Sequence, residues 1–156
     1  MIRLKRILHP TDFSEDSRYA LELACALARD QAARVVLLHV VPRSAPIGRD
    51  SQVPAFKDAH TAEDLQAFRE ETMARLEKMR DEASYADVQP MLKEGDVAGV
   101  ILRTADETPC DLVVMGSHGK SGAYQATLGS VAAEVTRRGA CPVVVARLPR
   151  SGQASK

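Results

Sequence analysis

Apolar positions follow two alternating rhythms along this chain. Short, almost uniformly apolar runs occupy Arg6–His9, Arg34–Val41, Asp111–Met115 and Pro142–Ala146. Between them, apolar residues return every three or four positions. The continuous runs predict strands covered on both faces, and the wider spacing predicts helices with one buried face. A fifth strand, Asp87–Lys93, is weaker, because Pro90 lacks the N–H of a central strand and belongs towards a sheet edge. Ala20, Leu23, Ala24 and Leu27 share a helix face, with Ser14 as its cap and Glu15 and Asp16 beside the positive helix end. Thr61-Ala-Glu-Asp64 resembles a capping box, with Asp in place of the usual Glu, ahead of Leu65, Phe68, Leu76 and Met79. Asp96 can cap a third helix through Val97, Val100, Ile101 and Ala105. Gly129 or Ser130 opens a fourth, which Gly139 is expected to close at the C′ position.

The order β-α-β-α-β-α-β-α-β predicts a single α/β domain. Its expected form is a doubly wound, five-stranded parallel sheet of order 3-2-1-4-5 with helices on both faces. The domain is expected to span residues 1–148, with a polar tail at 149–156. Pro42–His60, proline-bearing and with scattered charges, is expected to be a long mobile loop.

Composition adds mainly exclusions. A chain of 156 residues, 45% apolar and 27% charged, is long enough for one domain with a sizeable core. Lys plus Arg equals Asp plus Glu at 21 each, so net charge points to no nucleic acid and no acidic membrane. The apolar run behind the basic N-terminus stops at Leu8, too short for a signal peptide, and no segment approaches the roughly 20 apolar residues of a membrane span. Cys25, Cys110 and Cys141 have no C-x-x-C spacing and read as reduced thiols of a cytoplasmic protein. His9, His39, His60 and His118 have no metal-like spacing.

The candidate chemistry lies in Met115–Ser130, where Gly116, Gly119, Gly129 and Ser130 fit the pattern G-x2-G-x9-G-[ST] between a strand and a helix. Such a loop exposes backbone N–H groups to an anion, usually a phosphate. Glycine there permits close backbone approach and positive φ. The alternative is a pair of tight turns that only reverse the chain. Gly119-Lys120-Ser121 resembles the end of a P-loop, but Val114 stands where that motif needs glycine, and G-x-G-x-x-G is absent. Pro10-Thr11-Asp12 follows the first strand, and in the expected order strands 1 and 4 meet at the reversal point. Asp12 and Gly116 should therefore share one crevice, where Asp12 can accept hydrogen bonds from ribose hydroxyls or an adenine amino group. Asp12 also reads as a helix-start residue supporting the Ser14 cap. His118 is preferred as a plain loop histidine over an acid or base, because no neighbouring carboxylate orients it. His39, in an apolar strand, reads as a buried and hydrogen-bonded histidine.

Ile7–Glu15, Leu37–Val40, Val113–Gly119, Gly129–Val131 and Cys141–Val145 together resemble the universal stress protein family, from about Arg3 to Arg147. The resemblance implies an adenine nucleotide alpha hydrolase-like fold, usually homodimeric, and places the chain in the branch that binds ATP. Carried over, Asp12 and Val40 flank adenosine, and Pro10 and Thr11 shape that wall. Gly116, Gly119, Gly129 and Ser130 contact ribose and phosphates, with Met115, His118 and Val131 lining the same loop. Gln125-Ala126 departs from the basic or larger apolar residues more usual there. The implied ligand is ATP, or AMP or ADP, with Mg²⁺. The implied partners are a second copy through Pro142–Ala146 and a further protein, without nucleic acid or membrane. The implied role is a regulatory or protective module in stress response, with at most weak ATPase activity. Slow hydrolysis or phosphoryl transfer at the same site, and a nucleotide-free interaction module, stay open as alternatives.

Overall fold

Among the described residues, nine elements in strict alternation build the domain. The computed structural model describes residues 1–42, 61–118 and 128–149. They form β1 (Arg6–Pro10), α1 (Glu15–Gln31), β2 (Arg34–Pro42), α2 (Ala62–Glu82), β3 (Val88–Gly95), α3 (Val97–Glu107), β4 (Leu112–Gly116), α4 (Ser130–Arg138) and β5 (Val143–Ala146). Apart from Pro42, which ends β2, the expected loop to His60 lies outside the described residues, as does the tail beyond Pro149.

The strands pair in parallel in the order β3-β2-β1-β4-β5. Alternate side chains of each strand leave on opposite faces. Ile7, Val35, Leu37 and Val114 pack with Ala20, Leu21 and Ala24 of α1 and Leu76 of α2. Leu8, Val36, Leu38 and Val113 pack with Val100 and Ile101 of α3 and Val135 of α4. Both sheet faces are therefore apolar, which is why these strands read as unbroken apolar runs. Each such fully buried side chain contributes roughly 1.5–3 kcal/mol. β3 and β5 are the edges, as Pro90 suggested for β3.

Three of the helix starts are closed by the residues their sequence suggested. Ser14 Oγ accepts Ser17 N–H at 3.2 Å, and Asp96 Oδ2 accepts Gly99 N–H at 2.9 Å. Thr61 and Asp64 form a reciprocal capping box, each bond 3.1 Å. α4 differs: Gly129 is its N-cap, and among the described residues no side chain caps it. Its far end also departs from expectation. Gly139 is the C-cap in an extended conformation, φ −66° and ψ 136°, not a left-handed C′ residue. Its N–H donates to Val135 O at 2.8 Å, and a Cβ would stand 2.7 Å from that same oxygen. Close approach, not handedness, selects glycine here.

Phe13 takes the left-handed conformation instead, with φ 65°. A bulky residue there costs of order 1–3 kcal/mol and is retained only where its surroundings fix it. Phe13 N–H donates to Thr11 Oγ1 at 3.1 Å, its ring lies 4.6 Å from that of His39, and the Arg75 guanidinium covers it at 4.1 Å. The three cysteines are free, and burial pushes the Cys110 thiol up to about 11. Among the described residues no helix is long and apolar enough to cross a membrane.

Candidate functional site

β1 and β4 lie side by side, with Ile7 opposite Leu112 and Leu8 opposite Val113. Beyond their carboxyl ends the chain departs to opposite faces, from β1 into α1 and from β4 towards α4. That divergence opens a crevice at the reversal point of the strand order.

The β1 wall starts at Pro10, opposite Leu38 of β2. Thr11 is buried, its N–H donating to Leu38 O at 2.8 Å and its hydroxyl 2.9 Å from Ser17 Oγ. Asp12 Oδ1 accepts Ser14 N–H at 2.9 Å, so the helix-start role weighed for this residue is present. His39, half-buried, lies with Nδ1 2.7 Å from Thr11 O. A carbonyl can only accept, so Nδ1 carries the proton. Val40, one strand further out, is buried in the α3–α4 core, as is Met115.

The β4 wall is Gly116-Ser117-His118. A Cβ on Gly116 would stand 3.1 Å from the backbone of Asp16 and Ser17, so glycine lets the first turn of α1 rest on the end of β4. Gly129 N–H donates to Ser117 O at 2.7 Å, and a Cβ on Gly129 would lie 2.9 Å from that oxygen. Gly129 has φ −59°, and among the described glycines only Gly95 has positive φ. Positive φ was thus the wrong reason for Gly116 and Gly129; close backbone approach is the right one. The Gly129–Ser117 bond brings the start of α4, with Ser130 and Val131, onto the end of β4. The first-turn N–H groups of a helix have no intrahelical acceptor, and among the described residues no side chain caps those of α4. Gly119 lies outside the described residues.

Three residues the sequence reading did not assign complete the surroundings. Asp16, in the first turn of α1, reaches the β4 wall and the segment after β5, since Oδ2 lies 3.2 Å from Ser117 Oγ and Oδ1 accepts Leu148 N–H at 3.3 Å. Ser117 Oγ is in turn 3.0 Å from His118 Nδ1. The orienting carboxylate that the sequence did not place near His118 is therefore Asp16, through a hydroxyl. His9 is wholly buried beneath this crevice, with Nδ1 2.8 Å from Val114 O. Burial lowers its pKa to about 4, outweighing the opposing Val114 hydrogen bond and Asp12 charge, so the ring is neutral. The signal for Asp16 was available: the expected strand order sets the first turn of α1 over the end of β4. Two cavities of about 220 and 450 Å³ lie elsewhere, one near Cys141 and one near Arg69. The case for this site thus rests on backbone donors and convergent polar groups, not on an enclosed volume.

Comparison with known proteins places the chain as a whole. The model of the universal stress protein family matches residues 3–147. The chain is 30% identical to universal stress protein MJ0577 of Methanocaldococcus jannaschii, over 96% of this chain and 99% of that one. It is 34% identical to MJ0531 of the same organism, over 94% of this chain and 84% of the other. Universal stress protein UspA from Lactobacillus plantarum matches in structure with a TM-score of 0.77 at 24% identity, covering 94% of this chain and 100% of that one. At the level of fold, two further matches are a universal stress protein in complex with cAMP (TM-score 0.64, 22% identity, 96% of this chain and 100% of that one) and one from Archaeoglobus fulgidus in complex with dAMP (0.58, 21%, 94% and 99%). The sheet has the adenine nucleotide alpha hydrolase-like architecture of these neighbours. A family match along nearly the whole chain, with relatives at 30% identity or more over most of both lengths, establishes that the chain belongs to the universal stress protein family.

Proposed function

We propose that this protein binds an adenine nucleotide, ATP or else AMP or ADP, at the carboxyl ends of β1 and β4. The observation that carries the reading is the 2.7 Å bond from Gly129 N–H to Ser117 O, which seats the start of α4, without a capping side chain among the described residues, against the end of β4. Unsatisfied N–H groups and the positive end of a helix suit a phosphate. In this arrangement Asp12 and Val40 flank adenosine, and Pro10 and Thr11 shape that wall. Gly116, Gly119, Gly129 and Ser130 meet ribose and phosphates, with Met115, His118 and Val131 lining the loop. The relatives in complex with cAMP and dAMP support an adenine base as the recognised group. Mg²⁺ accompanies a triphosphate held largely by phosphate and water oxygens.

The protein acts as a cytoplasmic homodimer, a regulatory or protective module in stress response whose nucleotide occupancy alters the surface offered to a protein partner. Its three free cysteines suit a reducing compartment. β5 is a sheet edge whose three valines are only half-buried, an edge that a second copy would cover.

Thermal unfolding with and without ATP and Mg²⁺ tests the binding. A ligand at 100 times its Kd stabilises by about 2.7 kcal/mol, which moves the midpoint by several degrees. No movement up to millimolar ATP sinks the proposal. Mass spectrometry of whatever nucleotide leaves the denatured protein identifies the working ligand.

A further inference from the structure

Ser117 has every polar group engaged. Its N–H donates to Ala146 O at 3.0 Å, its carbonyl accepts Gly129 N–H at 2.7 Å, and its hydroxyl lies 3.2 Å from Asp16 Oδ2 and 3.0 Å from His118 Nδ1. A hydroxyl has one proton to donate, and a carboxylate can only accept. The Ser117 proton therefore goes to Asp16, and the Ser117 oxygen accepts from His118 Nδ1–H. The reverse order would set a hydroxyl lone pair against the carboxylate and forfeit a charge-assisted bond. Neutral His118 then keeps its proton on Nδ1 and a bare lone pair on Nε2. Nε2 is buried and has no hydrogen-bond partner among the described residues. A phosphate oxygen, itself an acceptor, does not satisfy a lone pair. A hydroxyl does.

We propose that Asp16, acting through Ser117, is a positioning residue that fixes His118 as the Nδ1–H tautomer, so that Nε2 accepts a hydrogen bond from a ribose hydroxyl of the nucleotide. The identity of that hydroxyl rests on the function proposed above; the tautomer does not. The second Asp16 oxygen sharpens the idea. Oδ1 accepts Leu148 N–H at 3.3 Å, so in Asp16→Asn the amide oxygen must stay on that side and the amide nitrogen must face Ser117. Ser117 then accepts from Asn and donates to Nδ1, and the proton of His118 moves to Nε2.

The test is ¹⁵N NMR of the full chain with labelled histidine at neutral pH. The ligand-free wild type should show His118 protonated at Nδ1 and bare at Nε2, and Asp16→Asn should show the reverse. Ser117→Ala, a second variant, should lose the Nδ1 preference, with thermal unfolding checking that both variants stay folded. A wild-type ring protonated at Nε2, or a tautomer unmoved in both variants, overturns the relay. On adding ATP the bare Nε2 resonance should move towards the protonated range, while 2′,3′-dideoxy-ATP should leave it in place and bind roughly fivefold more weakly. Equal responses to two bound nucleotides overturn the hydroxyl contact. Binding of neither overturns the nucleotide reading, and the ligand-free spectrum still decides the relay.

Discussion

Acidification from pH 7 to pH 4 should destabilise this fold by about 3 kcal/mol through His9 alone. His9 is wholly buried, its Nδ1–H is committed to Val114 O at 2.8 Å, and burial is the main cause that lowers its pKa from 6.5 to about 4. Between those values the unfolded chain takes up a proton that the folded chain refuses. Stability therefore falls as pH falls through this window, is fully present above about 6.5, and has lost the whole contribution below about 4. At about 1.4 kcal/mol per pH unit, the gap between 6.5 and about 4 gives the stated figure. Carboxylates titrate near the lower end of the window, so the measurement must be a difference. Urea unfolding of the wild type and of His9→Asn, at half-unit steps of pH (about 0.5), provides it. The Asn amide nitrogen stands close to the Nδ1 position and can keep the Val114 bond without titrating. The stability advantage of the wild type should shrink by about 3 kcal/mol from pH 7 to pH 4. A constant difference across the window, or an NMR titration of His9 in the folded protein near its ordinary value, would refute the reasoning.

Other perturbations probe separate parts of the molecule. Gly129→Ala sets a Cβ 2.9 Å from Ser117 O; denaturant unfolding should show a loss of about 1–3 kcal/mol, and calorimetry a parallel loss of nucleotide affinity. Leu8→Ala, wholly buried in the α3–α4 core, should lose about 2–5 kcal/mol without changing the sheet, read from the urea midpoint at constant m-value. Arg75→Ala should lose about 0.5–1 kcal/mol by uncovering the Phe13 ring, an effect that added salt barely changes. Asp111 accepts the N–H groups of Lys5 at 2.7 Å and Arg6 at 2.9 Å, which hold its carboxyl below the usual range. Asp111→Asn should therefore destabilise at pH 7 by less than about 1 kcal/mol, given its exposure. That wild-type advantage should vanish as pH falls through the depressed value.

Much of the scaffold was legible because it is written in neighbours. The caps at Ser14, Thr61 and Asp96 join residues three apart, and they form as their spacing predicted. The apolar runs gave the strands, and Pro90 gave an edge. The strand order followed from the alternation of elements, and with it the expectation that Pro10–Asp12 and Met115–His118 end side by side.

The glycine loop was legible as a feature but only partly in its reasons: close approach holds at Gly116 and Gly129, and positive φ does not. Spacing marks Gly116 and Gly129 as special, yet only the packed structure distinguishes a left-handed turn from a backbone touching another backbone. Conversely, nothing in Asp12-Phe13-Ser14 announces that Phe13 has φ 65°, because that conformation is held by Thr11, His39 and Arg75.

The sequence by itself determined the elements, their order, the capped helix starts and the family, because periodicity, capping and motif spacing act between near neighbours. Tertiary structure alone decided what joins Asp16 to Ser117, which are 101 residues apart, and His9 to Val114, which are 105 apart. Those contacts depend on the register of β1 against β4 and on α1 lying across the end of β4. Burial then does what no local pattern encodes: it keeps His9 neutral, and the packing around Ser117 sets which nitrogen of His118 holds the proton.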